Sequence, residues 1–198
     1  MIKGHKDKRI ENGKKTVSKV LLVARQMFGK QGFAKTSTSD IVKKAGIARG
    51  GLYHHFSSKK DIFKVVFRIA MEEIAEQIKF DKYAPDKKDH LLEITMAFFK
   101  ACLDPERLQI VMIDAPSVLG MDEFRRLDKE LLTAQLTEYL KYLMENNIIK
   151  PIYVETMSHL LAGATNEAVF LITQSNDRDK AIKEAYSSFE ILIDSFWL

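Results

Sequence analysis

The chain has 198 residues, of which 46% are hydrophobic and 29% charged, with a formal net charge of +4. A chain of this length can bury a core in one or two domains, and its hydrophobic content excludes an intrinsically disordered protein. The single cysteine excludes an intramolecular disulfide, and because no long apolar run occurs, we expect no membrane span or signal peptide and a cytoplasmic location.

Positive charge is concentrated in the first third of the chain. Residues 1–60 contain 15 Lys or Arg and 3 Asp or Glu, a net charge of +12, whereas residues 61–198 carry −8. A basic head on an acidic body is the electrostatic pattern of a nucleic-acid-binding protein. A basic, solvated face without a partner is the alternative interpretation.

Two segments precede the most informative motif. Residues 1–14 are polar and basic, and we expect a flexible arm that either contacts phosphates or only keeps the chain in solution. Over residues 16–31, apolar side chains recur at intervals of three and four, which predicts an amphipathic helix that Gly32 ends. The apolar positions are Val17, Val20, Leu21, Ala24, Met27 and Phe28.

Residues 36–59, TSTSDIVKKAGIARGGLYHHFSSK, predict a helix-turn-helix. Ser37 and Thr38 can cap a first short helix, and Asp40 lies where a helix N-terminus favours negative charge. Gly46 can adopt the left-handed conformation that ends this helix and forms the turn.

The second helix of this motif is predicted to have a buried and a polar face. Leu52 and Phe56 are four residues apart and therefore point the same way, into a small core. Gly50 and Gly51 leave the start of the helix without bulk, so another surface can approach its backbone. A major groove of B-DNA fits this description. The polar face carries Arg49, Tyr53, His54 and His55.

Over roughly residues 16–65 the sequence resembles the tetracycline-repressor (TetR) family of bacterial transcription regulators, whose DNA-binding domain typically reads T-S-x-x-D-I-A-x-x-A-G-V-S-x-G-x-L-Y-x-H-F-x-S-K. One departure is Ala48, where the family usually has a capping Ser. Losing a cap costs about 1 kcal/mol, so we expect the second helix to be partly mobile until DNA orders it. The matching residues are Thr36, Ser37, Asp40, Ile41, Ala45, Gly46, Gly50, Leu52, Tyr53, His55, Phe56, Ser58 and Lys59.

The resemblance implies a role for each residue of the motif that can contact DNA. Arg49 and Gly50 would face bases, with Gly51 close by, and an Arg at the head of the helix can bind guanine O6 and N7 together. Hydroxyl and ammonium groups suit phosphate oxygens. The residues expected at phosphates are Thr38, Tyr53, His54, His55 and Lys59, and Ser39 is a further DNA-binding candidate.

Six further helices are predicted after the helix-turn-helix, over residues 59–79, 86–103, 105–116, 122–145, 154–173 and 178–196. The pattern breaks at residues 83–86. The predicted fold is all-α with about nine helices. It consists of a three-helix DNA-binding domain over residues 1–60 and a regulatory and dimerisation domain over residues 61–198.

The last two helices are predicted to form half of a four-helix bundle that a second subunit completes. Gly163, Ala164 and Ala168 keep the first of them slim enough for another helix to approach. The alternative is that both helices bury their apolar residues only against their own chain.

The resemblance also implies that the C-terminal body binds a small-molecule effector, which we expect to be largely apolar. Aromatic and Met side chains are adaptable contacts, and an Asn can supply a polar anchor. The candidate wall residues are Phe99, Met112, Phe124, Tyr139, Tyr142, Asn166 and Phe170.

These patterns favour a homodimeric transcription regulator, and in particular a repressor that binds a palindromic operator and is released by a small molecule. A ligand-independent DNA-binding regulator and a helical protein–protein adaptor are the alternatives. An enzyme is not expected, because the sequence contains no nucleophile–base pair, phosphate-binding loop or metal-ligand cluster. Neither a cofactor nor a metal ion is therefore predicted.

Overall fold

The computed structural model describes residues 3–84 and 86–198, and these ranges fold into nine helices, which confirms the all-α fold class. Two segments within these helices, Leu108–Asp114 and Lys129–Thr133, are π-helical. None of the described helices is long and apolar enough to cross a membrane. The helices are α1 (Lys3–Gln31), α2 (Thr38–Ala45), α3 (Arg49–His55), α4 (Lys59–Gln77), α5 (Lys87–Cys102), α6 (residues 105–119), α7 (residues 121–145), α8 (Val154–Gln174) and α9 (Arg178–Asp194).

The chain divides into two compact units. The first combines the chain up to Ala70 with Pro105–Asp122, and the second combines Met71–Asp104 with Glu123–Leu198. Helix α4 begins in the first unit and ends in the second. The predicted domains, residues 1–60 and 61–198, stay a prediction, but the first compact unit differs from them because it includes α6.

The first unit is built around three phenylalanine rings. Phe28 of α1 packs edge-on against Phe63 of α4 with 5.3 Å between centroids, and Phe33 lies 5.7 Å from Phe28 and 5.2 Å from Phe63. Tilted and edge-on pairs of this kind add to the free energy gained by burying the rings. The fully buried aliphatic residues around them include Val20, Ala24, Ile41, Leu52, Ile62 and Val66.

Helix α1 begins at Lys3, so the prediction of a flexible arm is wrong for the described part of residues 1–14. The prediction weighed the polar composition and two glycines of this segment. However, its many Lys, Arg and Glu residues are good helix formers, and the helix continues directly from the amphipathic segment. Glu11 and Lys15 also form an i,i+4 ion pair at 2.8 Å. Residues 1 and 2 lie outside the described residues, as does Pro85 in the predicted break at 83–86.

Within the first unit, α6 packs closely against the C-terminal half of α1. Arg25 of α1 forms an ion pair with Glu106 of α6, and the Phe33 N–H donates a hydrogen bond to Asp114 Oδ2 at 2.7 Å. A Cβ placed on Gly29 would lie 2.3 Å from Glu106 Cγ and 3.1 Å from Glu106 Cα. Glycine at position 29 therefore permits the close approach of α6.

The second unit has its own core between α5, α7, α8 and α9. The rings of Phe99 and Phe189 meet edge-on with 5.8 Å between centroids. Cys102, the one cysteine of the chain, is fully buried near them on α5. At the C-terminus, Ile149 pairs with Trp197 in an isolated β-bridge, which ties the end of the chain to the α7–α8 connection.

We predict that Gly29→Ala destabilises the protein by about 1–3 kcal/mol, because the new Cβ overlaps the backbone and side chain of Glu106. This loss should appear even though Ala is favoured over Gly in a helix by about 1 kcal/mol. Gly13→Ala is the matched control on the same helix, since a Cβ there meets only the His55 ring, 3.5 Å from Cε1 and 3.9 Å from Nε2, both ordinary contacts.

Urea unfolding measures both changes. The Gly13 variant should be more stable than the parent by about 0.5–1 kcal/mol, so the two substitutions should act in opposite directions. Equal stabilisation by both would show that α6 does not lie against Gly29.

Candidate functional site

The structure confirms the helix-turn-helix at the predicted positions. Ser37 caps α2, since its Oγ accepts from the Asp40 N–H at 3.1 Å and donates to Asp40 Oδ2 at 2.6 Å. Gly46 ends α2 in the left-handed conformation with φ of +64°. The turn is thus specified by residues next to it in sequence.

Helix α3 combines a buried anchor with an uncrowded start. Leu52 is fully buried, whereas Ala48 at the N-cap makes no side-chain hydrogen bond to the helix, as predicted. A Cβ placed on Gly50 or Gly51 would have no heavy atom within 4 Å. The fold leaves the space beside both glycines empty. Another molecule can therefore approach the backbone closely at these two positions.

Three candidate DNA-contacting residues from two helices meet on the exposed surface. Thr38 Oγ1 of α2 and the Tyr53 hydroxyl of α3 are 3.3 Å apart, and Arg49 Cζ lies 5.7 Å from the centroid of the Tyr53 ring. The hydrogen bond with Thr38, and then that with Arg49, lower the pKa of Tyr53 below its usual value. The result is a cluster of donors held by contacts across the turn.

The remaining candidates on this face are exposed. The rings of His54 and His55 are in edge-on contact with 5.0 Å between centroids. A Cβ placed on Gly13 of α1 would lie 3.5 Å from His55 Cε1, so the His55 ring lies near α1. Ser39 is exposed in the first turn of α2.

Lys59 occupies a different position from the other candidates. Its half-buried ammonium group donates to the carbonyl oxygens of Phe33 and Thr36, each at 2.8 Å, and lies 4.0 Å from the centroid of the Phe33 ring. The start of α4 is thereby bonded to the α1–α2 connection. This internal role was not predicted from the sequence, because Phe33 and Thr36 are distant along the chain.

The second unit contains a small cavity of about 70 Å³. A water-sized group needs about 10–15 Å³ of cavity volume, so roughly five water-sized groups would fit without movement of the walls. Its polar wall residues are Thr95, Asp128, Thr133, Thr165 and Asn166. Its apolar wall residues are Ile78, Phe80, Leu91, Ile94, Phe98, Leu132, Leu136, Leu161, Ala162, Phe189 and Ile193.

Asn166 is the one member of the seven-residue ligand prediction that lines this cavity. Phe99 is core, packed on Phe189, and Tyr139 lies behind the wall with its ring 5.3 Å from that of Phe80. The Tyr142 hydroxyl donates to the Lys82 carbonyl at 3.1 Å. Phe99 and Tyr139, two of the five aromatic candidates, thus fill the interior instead of this wall.

The other three ligand candidates are also away from the cavity wall. Met112 is buried in α6 and belongs to the first unit. Phe124 on α7 and Phe170 on α8 are half-buried within the second unit. The prediction missed the polar wall residues Asp128 and Thr133. The available signal was the presence of an acidic residue, Asp128, within an apolar helical face.

Burial has a marked effect on Tyr139 beside this cavity. Its hydroxyl is buried and has no hydrogen-bond partner among the described residues. Burial, followed by the charge of Asp81, raises the pKa of Tyr139 to about 12. The phenol therefore remains protonated at neutral pH.

Comparison with known proteins gives matches along most of the chain. Residues 20–66 match the family model described as bacterial regulatory proteins, tetR family, and residues 89–196 match the model described as tetracyclin repressor-like, C-terminal domain. The chain is 24% identical over 165 residues to the transposon Tn10 TetC protein of Escherichia coli, covering 80% of this chain and 81% of that protein.

Two further similarities cover about half of the chain and nearly all of it, respectively. The chain is 30% identical over 104 residues to the HTH-type transcriptional regulator AcrR of Shigella flexneri, covering 52% of this chain and 48% of AcrR. A solved structure of a TetR-family transcriptional regulator from Pectobacterium atrosepticum is similar with a TM-score of 0.78 at 25% identity. That similarity covers 95% of this chain and 97% of the other.

We predict that Lys59→Met lowers the free energy of unfolding by about 1–3 kcal/mol, because it removes the donor shared by the carbonyls of Phe33 and Thr36. Lys44→Met is the matched control, since it removes the same charge from an exposed position on α2. That control should stay within about 0.5 kcal/mol of the parent. Chemical denaturation of both variants checks the prediction, and equal stabilities would contradict it.

Proposed function

This chain belongs to the tetR family of bacterial regulatory proteins, and we propose that it is a repressor that binds a palindromic operator as a homodimer and is released by a small molecule. Members of this family are DNA-binding transcription regulators and not enzymes. The observation that carries the proposal is the exposed cluster of Thr38, Arg49 and Tyr53, which presents donors from both helices of the motif on one surface.

The proposed division of roles on DNA follows from the chemistry of each side chain. Arg49 and Gly50 face base edges, and Gly51 allows the backbone to come close to the groove. Thr38 and Tyr53 contact phosphates with their hydroxyl groups, because such contacts fix the register of the recognition helix. Ser39, His54 and His55 are exposed on the same motif and are further phosphate contacts in this proposal.

Lys59 takes a second role in this proposal. Two of its three N–H groups are directed at the carbonyls of Phe33 and Thr36, so at most one remains for a phosphate oxygen. Its main contribution is to hold the α1–α2 connection from which α2 starts.

The charge distribution supports DNA as the partner. The net charge of +12 over residues 1–60 attracts the phosphate backbone, and the −8 over the rest of the chain disfavours contact with it. A protein–protein adaptor has no need of this separation of positive and negative charge along the chain.

The test of DNA recognition is Arg49→Ala, assayed on an operator selected from random duplexes. The variant should lose about 1–3 kcal/mol of discrimination at one base pair in each half-site, because the bidentate contact to guanine is lost. Lys44→Ala, which removes one charge elsewhere on the motif and no proposed base contact, should change specific and random binding alike.

A gel shift across a panel of single-base operator variants separates these outcomes. Equal losses on specific and random DNA for Arg49→Ala would remove it from base recognition. If the protein selects no duplex from the random pool, the proposed function as a whole is refuted.

The proposed dimer forms through α8 and α9. An open groove between these helices is bordered by small side chains, among them Ala164, Ala181 and Ala185, which allow close helix approach. Leu171 and Leu192 border the same groove with 61% and 44% of their surface exposed. A second copy of these helices would cover the apolar surface and complete a four-helix bundle.

We expect Gly163→Arg to weaken this dimer, because it places a long charged side chain at an exposed position on α8 where a Cβ has no atom within 4 Å. Asn176→Arg, in the exposed α8–α9 connection, is the control with the same change in charge. Sedimentation velocity should show dissociation of the first variant alone. A dimer of unchanged stability and operator affinity would place the interface elsewhere.

Release by an effector requires that the ligand favour one arrangement of the two heads over the other. To weaken operator binding tenfold to a hundredfold, the ligand must supply about 1.4–2.8 kcal/mol of coupling. Helix α4 is a suitable connection, because Lys59 at its start is bonded to the α1–α2 connection and Ile78 just after its end lines the cavity.

A further inference from the structure

The walls of the cavity in the second unit are largely apolar, with five polar residues among them. Asp128 is the one ionisable side chain among its described wall residues. The hydroxyl groups of Thr95 and Thr165 donate to carbonyls within their own helices, those of Leu91 and Ala162, at 3.0 and 2.8 Å. Their hydrogen atoms are therefore committed, and a ligand meets a largely apolar surface that contains the Asp128 carboxylate and the Asn166 amide.

The π-helical segment of α7 determines how Asp128 is held. In a π-helix, residues five apart are aligned, whereas in an α-helix they point about 140° apart. Thr133 is five residues after Asp128, and its hydroxyl donates to Asp128 Oδ2 at 2.7 Å. The π-helical turn thus places a hydroxyl donor on the carboxylate, and single π turns are frequent at functional sites.

The environment of Asp128 disfavours its charge. Burial raises the pKa of Asp128, and the hydrogen bond from Thr133 and the charge of His159 on α8 oppose the increase only in part. His159 is exposed and is not part of the cavity wall. One hydroxyl donor also leaves most of the acceptor sites of a carboxylate unfilled. A cation inside the cavity would offset this cost of burial.

We propose that this cavity binds a primary or substituted ammonium group with an apolar tail, and that Asp128 is its counter-ion. The inference rests on the proposed release by an effector. It narrows the expected effector from a largely apolar molecule to an apolar amine. The ammonium donates to Asp128, while the tail contacts Phe80, Phe98 and Leu136. Because the cavity has a volume of only about 70 Å³, it encloses a tail of no more than a few carbons.

Calorimetric titration with short alkyl probes tests this assignment. The probes are butylamine and hexylamine, each compared with the alcohol and the carboxylate of the same chain length, so that only the head group changes. The parent protein should bind the amines about tenfold to a hundredfold more tightly than the alcohols, and the carboxylates least of all. No saturable amine binding, or equal binding of amines and alcohols, overturns the proposal.

Asp128→Asn should abolish the preference for amines over alcohols, because the amide keeps the shape and can accept from Thr133 but carries no charge. Glu138→Gln is the matched control, since it removes a carboxylate from an exposed position on the same helix. It should leave the preference intact. Persistence of the preference in Asp128→Asn would overturn the assignment. If that variant does not fold, the head-group comparison in the parent protein still decides the question.

The titration is carried out without DNA, and operator binding is measured separately on the same protein. Operator binding without amine binding would refute only the ligand class. Amine binding without any selected operator would refute the proposed repressor while leaving the cavity assignment in place. Weaker operator binding in the presence of hexylamine, lost in Asp128→Asn, would support both.

Discussion

Phe33 connects three helices through a single residue. Its N–H donates to Asp114 of α6, its carbonyl accepts from Lys59 of α4, and its ring packs against Phe28 and Phe63. Both polar backbone groups of this residue are thus held by side chains from distant parts of the sequence. The connection between α1 and α2 is fixed by these bonds, and the direction in which α2 and α3 present their polar surface depends on it.

Local signals were sufficient to predict the helix-turn-helix. The Ser37 cap and the left-handed Gly46 act within a few residues, so the bounds of α2 and α3 could be predicted from neighbouring residues alone. The same kind of reasoning failed for residues 3–14, where a polar composition was taken as flexibility although the residue types favour a helix. Composition describes solubility more reliably than backbone conformation.

Features that depend on packing between distant segments could not be predicted. The approach of α6 to Gly29 has no signature in the sequence around either segment, because its cause is the absence of a side chain opposite Glu106. The cavity is similar, since five segments supply its walls. The alignment of Asp128 with Thr133 required knowledge of a π-helical turn, which the helical periodicity of α7 does not reveal.

The burial of Cys102 has a practical consequence for following the motion of this protein. An exposed cysteine introduced on the DNA-binding motif, for example Ser39→Cys, would be the one accessible thiol of the chain. Paramagnetic or fluorescent labels could then be attached there without first removing a native cysteine. In a symmetric pair of subunits, two such labels define a single distance, so head separation becomes a spectroscopic observable in solution.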